Sequence, residues 1–193
     1  LFKKSKTSSR FVNLYFLGIL MKNKKTLILN GQDLTIKDLE LFSSQEVTPI
    51  TISKDSLGKM QRANTYVKKI VESGEPIYGI NTGFGALSNK HIPKQDLETL
   101  QYNLIRSHCT GVGEPFSPEL TRLIMLIRAN CLCRGFSGIN PEVVQLLVDL
   151  LNHNITPVVP KKGSVGASGD LAPLSHIAIT LIGEGHVIYK NKQ

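Results

Sequence analysis

Apolar residues recur at helical spacing in five stretches of the 193-residue chain. Leu57, Met60, Asn64, Val67, Ile70 and Val71 form the first, opened by Ser53 as an N-cap and stopped by Gly74. Pro93 to Ser107 forms the second, with Leu97, Leu100, Leu104 and Ile105 on one side. The third opens at Ser117-Pro118-Glu119, where a capping hydroxyl, a proline in the first turn and an acid at the positive dipole end coincide. Leu120, Leu123, Ile124 and Ile127 carry it towards Arg134-Gly135. Asn140-Pro141-Glu142 repeats the device for the helix Val143 to Leu151. The fifth starts at Ala172-Pro173 and runs through Leu174, Ile177, Ala178, Leu181 and Ile182 to Gly183.

Extended segments are few and short. Thr26 to Leu29 before Gly31-Gln32, Thr48 to Ile52, Thr156 to Pro160 and Val187 to Tyr189 are the candidates, with one or two helical turns over Leu34 to Leu41. Proline biases its predecessor away from helix, which keeps the stretch up to Pro160 extended. The pattern predicts a mainly α fold with a few short strands, and with function concentrated in three loops. No internal repeat or linker-like stretch interrupts it.

Composition changes this picture little: 41% hydrophobic and 20% charged residues are ordinary for a globular protein. The charge of +8 is uneven, since Lys3, Lys4, Lys6, Arg10, Lys22 and Lys24 lie at one end with no interleaved aromatic platform. That argues for a solvated basic end and against nucleic-acid binding. Phe11 to Leu20 is an apolar run after a basic stretch, like a signal peptide, but Met21-Lys22-Asn23-Lys24-Lys25 follows without a small-residue cleavage site. It is also too short to span a bilayer. The favoured reading takes Met21 as the natural start and residues 1–20 as upstream sequence. Three cysteines, Cys109, Cys131 and Cys133, without framework spacing argue for a reducing compartment. They read as small core-filling thiols, because Cys131 and Cys133 do not share a helix face.

Two glycine-rich loops carry the candidate chemistry. Gly163 to Asp170 has glycines at every third position, with Ala167 and Ser168 before the last. A phosphate cradle would need a lysine and a hydroxyl after Gly169, where Asp170 stands, and an acid is the wrong charge there. Another chemistry fits: small neighbours allow the Gly169 nitrogen to reach the Ala167 carbonyl carbon, and glycine tolerates the compression. Ring closure loses one water and the Ser168 side chain a second, leaving the electrophile methylidene-imidazolone.

Gly163-Ser-Val-Gly-Ala-Ser-Gly-Asp-Leu-Ala-Pro-Leu174 closely resembles the signature of the histidine, phenylalanine and tyrosine ammonia-lyase family, which includes aminomutases. Tyr78-Gly-Ile-Asn-Thr-Gly-Phe-Gly85 resembles its second hallmark, in the expected order. The resemblance covers roughly residues 26–192 and implies the N-terminal part of the ammonia-lyase helical fold, an electrophile-bearing domain over 21–193. It implies that Ala167, Ser168 and Gly169 form the prosthetic group autocatalytically, with no metal or diffusible cofactor. Tyr78 would remove the substrate's β-proton. A free tyrosine, with a pKa of about 10, is a poor base at neutral pH, so loop NH groups or a helix N-terminus would have to stabilise its phenolate. Asn81 and Gly85 would shape that loop at the substrate, and Asp170 would assist ring formation, cap the following helix, or both.

By the same resemblance Ser107-His108 would lie against the substrate side chain. Family members acting on phenylalanine tend to carry Phe-Leu there, on tyrosine His-Leu, and on histidine Ser-His. An imidazole can hydrogen-bond another imidazole, whereas Phe-Leu would leave a polar ring unpaired, at a cost of about 1–3 kcal/mol. The implied reaction is elimination of ammonia from L-histidine to give urocanate, the opening of histidine degradation, in a cytoplasmic homotetramer with sites built from several chains. Phenylalanine or tyrosine as substrate, an aminomutase of the same family, a catalytically silent helical module and a nucleotide-binding protein are the alternatives. His91, His153, His176 and His186 receive no role.

The family's chains are much longer, and the later asparagine, tyrosine, arginine and glutamate that complete its pocket are not in these 193 residues. Helices that would pack on the family's long bundle would expose apolar faces. This stretch alone is therefore expected to be inactive and prone to association.

Overall fold

The computed structural model describes residues 25–44, 47–167 and 169–190. The expectations on residues 1–20 and on Ser168 lie outside the described residues. Six helices dominate: α1 (Ile36–Ser43), α2 (Lys54–Ser73), α3 (Leu97–His108), α4 (Pro118–Leu132), α5 (Pro141–Asn152) and α6 (Leu171–Leu181). Six short strands accompany them: β1 (Lys25–Leu29), β2 (Val47–Ile52), β3 (Val112–Pro115), β4 (Thr156–Pro157), β5 (Pro160–Lys162) and β6 (Val187–Ile188). The strands make three two-stranded ribbons: parallel β1–β2, antiparallel β3–β5 and antiparallel β4–β6.

The helix ends follow the local chemistry closely. Ser53 accepts from the Ser56 amide, Ser117 from Leu120 and Asn140 from Glu142, each satisfying a first-turn N–H that has no partner within the helix. Gly74 ends α2 in the left-handed region at φ +73°, which costs glycine least.

The core is built where α4 and α5 meet β1 and β2. Thr121, Met125, Ala129 and Leu132, with Leu126 and Asn130 alongside, bury one side of α4. Val144, Leu147, Val148 and Leu151 do so for α5, against Leu27, Leu29, Ile50 and Ile52 at alternate strand positions. Fully burying each such side chain contributes about 1.5–3 kcal/mol before the entropy of ordering it. Asn152 completes the open edge of β2: its amide accepts from Ile50 N and donates to Ile50 O, both at 2.9 Å, standing in for a neighbouring strand.

Three sequence expectations need correction. The second periodic stretch is α-helical only from Leu97, because Lys94–Asp96 forms a 3₁₀ turn behind Pro93. α6 begins at Leu171, before Pro173, since proline is tolerated throughout the first turn, where no intrahelical N–H bond is lost. Of the cysteines, only Cys133 is buried; Cys109 is half-buried and Cys131 exposed. Burial pushes the Cys133 thiol up to about 11, so it behaves as a core hydrophobe.

Strand β3 had no counterpart in the sequence reading. Val-Gly-Glu-Pro carries no alternation of its own, and is extended only because β5 pairs with it. That pairing positions the candidate site.

Candidate active site

Three segments bear the candidate residues. The first leaves α2 at Gly74 and returns to the 3₁₀ turn before α3. Asn81 holds it together from inside: the side chain is 1% exposed, accepts from Ile77 N at 2.7 Å and donates to Glu75 O at 2.8 Å. Backbone bonds Asn81 N to Ile77 O, Ile92 N to Asn81 O and Gly83 N to Lys90 O tie the two arms together. Gly83 has no room for a side chain, since a Cβ would meet the Leu87 carbonyl oxygen at 2.6 Å. Gly85 opens a 3₁₀ turn at φ +56° on the exposed side.

This internal bonding leaves Tyr78 displayed on the surface. It is 62% exposed, with its ring edge-on to Phe84 at 5.9 Å between centroids. No described residue donates a hydrogen bond to its hydroxyl, so the expected phenolate-stabilising loop amides are not in place among the described residues. The polar side chain of Asn81 is spent on bonds within the loop.

The second segment is the C-terminal end of α3. The His108 Nδ1 lies 2.8 Å from the Leu104 carbonyl oxygen and 3.1 Å from Ser107 Oγ. A carbonyl can only accept, so the bond to Leu104 requires the proton on Nδ1. Ser107 Oγ itself donates to Leu104 O at 2.9 Å. In its neutral form the half-buried His108 ring is thereby held with Nε2 as an acceptor, free of any partner among the described residues.

The third is the electrophile loop between β5 and α6. Ala167 and Gly169 are exposed; Gly166 and Gly169 have φ of +74° and +86°, and nothing lies within 4 Å of where either Cβ would stand. Ser164 Oγ donates to Asp170 Oδ1 at 2.6 Å and closes the loop across its base. Asp170 occupies the N-cap position of α6, yet its side chain makes no capping bond. Its carboxylate serves the loop, and only its backbone carbonyl accepts from the helix, from Leu174 N at 3.3 Å. The open space and left-handed backbone at Gly166 and Gly169 leave room for chemistry at this loop.

The structure brings the second and third segments together. β3 begins four residues after His108 and pairs with β5, Val112 opposite Lys162 and Pro115 opposite Pro160. A Cβ on Gly163 would stand 2.8 Å from Gly111 Cα. The Tyr78 loop is not bonded to either: among the described residues, no hydrogen bond or ring contact links Tyr78 to them. Nor do the described residues hold a group of three or more His, Cys, Asp or Glu that could bind a metal, or a helix long and apolar enough to cross a membrane.

The chain also has matches among known proteins. The family model for aromatic amino acid lyases matches residues 34–193. A histidine ammonia-lyase from Bacillus cytotoxicus is 48% identical over 167 residues, which are 86% of this chain and 32% of that protein. Among solved structures, the ergothioneine-degrading enzyme ergothionase from Treponema denticola superposes with a TM-score of 0.82 at 32% identity, covering 87% of this chain and 33% of that one. Histidine ammonia-lyase from Trypanosoma cruzi gives 0.79 at 40% identity, over 86% and 32%. The chain thus spans about a third of the length of the curated relatives it matches.

Proposed function

The chain belongs to the aromatic amino acid lyase family, and on that premise we propose that it is the electrophile-bearing part, residues 21–193, of an enzyme that eliminates ammonia from L-histidine to give urocanate. The observation that carries the substrate choice is the Ser107-His108 pair, with Nδ1 bound to Leu104 O and Nε2 left as an acceptor. An acceptor at that point can take the N–H of a substrate imidazole; a phenyl ring would offer it nothing, leaving a polar atom to be desolvated without a partner.

Methylidene-imidazolone drawn from Ala167, Ser168 and Gly169 would supply the electrophile that makes the substrate's amine a leaving group. The chain's own residues do the rest. Asp170, held by Ser164, keeps a carboxylate at the base of the loop during ring closure. Tyr78, carried on the loop that Asn81 and Gly85 shape, takes the β-proton, with donors to its hydroxyl supplied from outside the described residues. Ser107 and His108 orient the ring. The same reading makes the working form a cytoplasmic homotetramer, whose other subunits complete each site, without metal or diffusible cofactor.

The test is urocanate formation by protein of the relatives' length, alongside its intact mass. Expected are conversion of histidine in preference to phenylalanine and tyrosine, and a mass lower than the sequence by two waters that Ser168→Ala restores. A shifted amino group in place of free ammonia would make it an aminomutase; an unprocessed, inactive protein would leave the silent-module reading.

A further inference from the structure

We propose that His176 is a positioning residue: through its Nε2 it fixes the exit of α3, which carries His108, against the helix that carries the electrophile loop. Its ring stands on α6 and accepts the Gly111 N–H at 3.1 Å. Gly111 lies three residues after His108, and His176 six residues after Asp170, so one hydrogen bond spans the two arms of the candidate site.

The surroundings leave this contact no slack. A Cβ at Gly111 would come to 2.9 Å from His176 Nε2 and 3.1 Å from Pro160 Cβ, and one at Gly163 to 2.8 Å from Gly111 Cα. Two chain segments therefore meet at backbone distance, and the histidine on a third is the side chain that locks them. The β3–β5 ribbon cannot set the spacing alone. It has two registered pairs, with an irregularity between Val112 and Pro115, and two-stranded pairings of this size are marginal. The Arg106–Glu184 ion pair also joins α3 to the chain beyond α6, but it is exposed and screened by solvent.

The bond dictates the state of the ring. A backbone N–H only donates, so Nε2 must carry the lone pair and Nδ1 the proton. His176 is neutral there, and its burial, which lowers its pKa below the usual histidine value, works in the same direction. His176 and His108 thus share one tautomer for different ends: His108 presents Nε2 to the substrate side, His176 spends its Nε2 on the backbone. A glutamine can reproduce that acceptor, whereas leucine fills the space without it.

The catalytic consequence rests on the ammonia-lyase reading; the hydrogen bond does not, and the two are tested separately. In the 193-residue chain, imidazole nitrogen NMR should find His176 unprotonated at Nε2, and the Gly111 amide should be protected from hydrogen exchange in wild type and H176Q but not in H176L. A proton on Nε2 in the wild type, which needs no variant to fold, overturns the proposal, as does an amide equally protected in H176L. In protein of the relatives' length, H176L should lose about tenfold or more in kcat/KM for histidine, the scale of a small misplacement of reacting groups. The loss of two waters should persist in that variant, and H176Q should recover most of the activity. Equal kcat/KM per processed site in H176L, or no recovery in a folded H176Q, overturns the positioning role. A wild-type protein that neither loses water nor releases ammonia would sink the ammonia-lyase reading instead, leaving the clamp to be judged by the Gly111 amide.

Discussion

Helices α3 and α4 resemble one another in sequence and differ in burial. Both set leucine and isoleucine at helical spacing, yet α4 buries six residues and α3 none. The four positions expected on one side of α3, Leu97, Leu100, Leu104 and Ile105, are only half-buried. α4 is covered by α5, α1 and β4, whereas α3 lies chiefly on α6. Periodicity reports which face of a helix is apolar; how much covers that face depends on the rest of the fold. Here the well-covered region is scaffold, and the thinly covered region holds the candidate residues, as expected where loops carry function on a rigid frame.

The sharpest way to break that comparison is a matched pair of truncations. Leu126→Ala, at a fully buried position, should cost about 2–5 kcal/mol in a denaturant titration. Leu104→Ala, at a half-buried position, should cost less than half as much in this chain, because its cavity opens to solvent. Equal losses would mean that α3 is as tightly packed as α4 and that the contrast is false.

The same contrast explains what the sequence revealed. Caps and glycine stops located α2, α4 and α5 within a residue or two, because those signals are local. The loop motifs singled out Tyr78, Ser107-His108 and the 167–169 tripeptide as candidates, because such strings are long and specific. Strand β3 and the His176–Gly111 bond were not legible, since each depends on a segment about fifty or more residues away. The Asp170 expectation was half legible: an acid before a helix suggests a cap, but nothing local says that Ser164 takes its carboxylate.

A middle-sized effect is expected inside the Tyr78 loop. Asn81→Ala removes an acceptor for Ile77 N and a donor to Glu75 O in a buried position, which should cost about 1–3 kcal/mol locally. Because the loop's bonds are internal, the loss should appear as faster hydrogen exchange and proteolysis over residues 76–92, with the global unfolding midpoint moving less than for Leu126→Ala. A global loss matching that of the core variant would show that the loop is part of the packed scaffold.

The smallest effect belongs to the exposed pair that bridges α3 and the chain after α6. Arg106 Nη2 and Nε lie 2.5 and 3.1 Å from the two Glu184 carboxylate oxygens. The hydrogen bond from Arg106, with its charge, holds the Glu184 carboxyl below the usual carboxylate range, against a smaller opposing contribution from burial. A carboxyl whose pKa is lower folded than unfolded stabilises the fold above its unfolded value, about 4.3, and that stabilisation disappears as pH falls through the lower folded value. The guanidinium stays charged throughout. Arg106→Gln should therefore lower the Tm slightly at pH 7 and low salt, the gap narrowing as salt is added and closing at a pH below the folded value. A gap that persisted in acid or in high salt would mean that the arginine acts through its stem and its stacking on the Tyr102 ring, 5.6 Å away, and that this thinly covered side is held by packing after all.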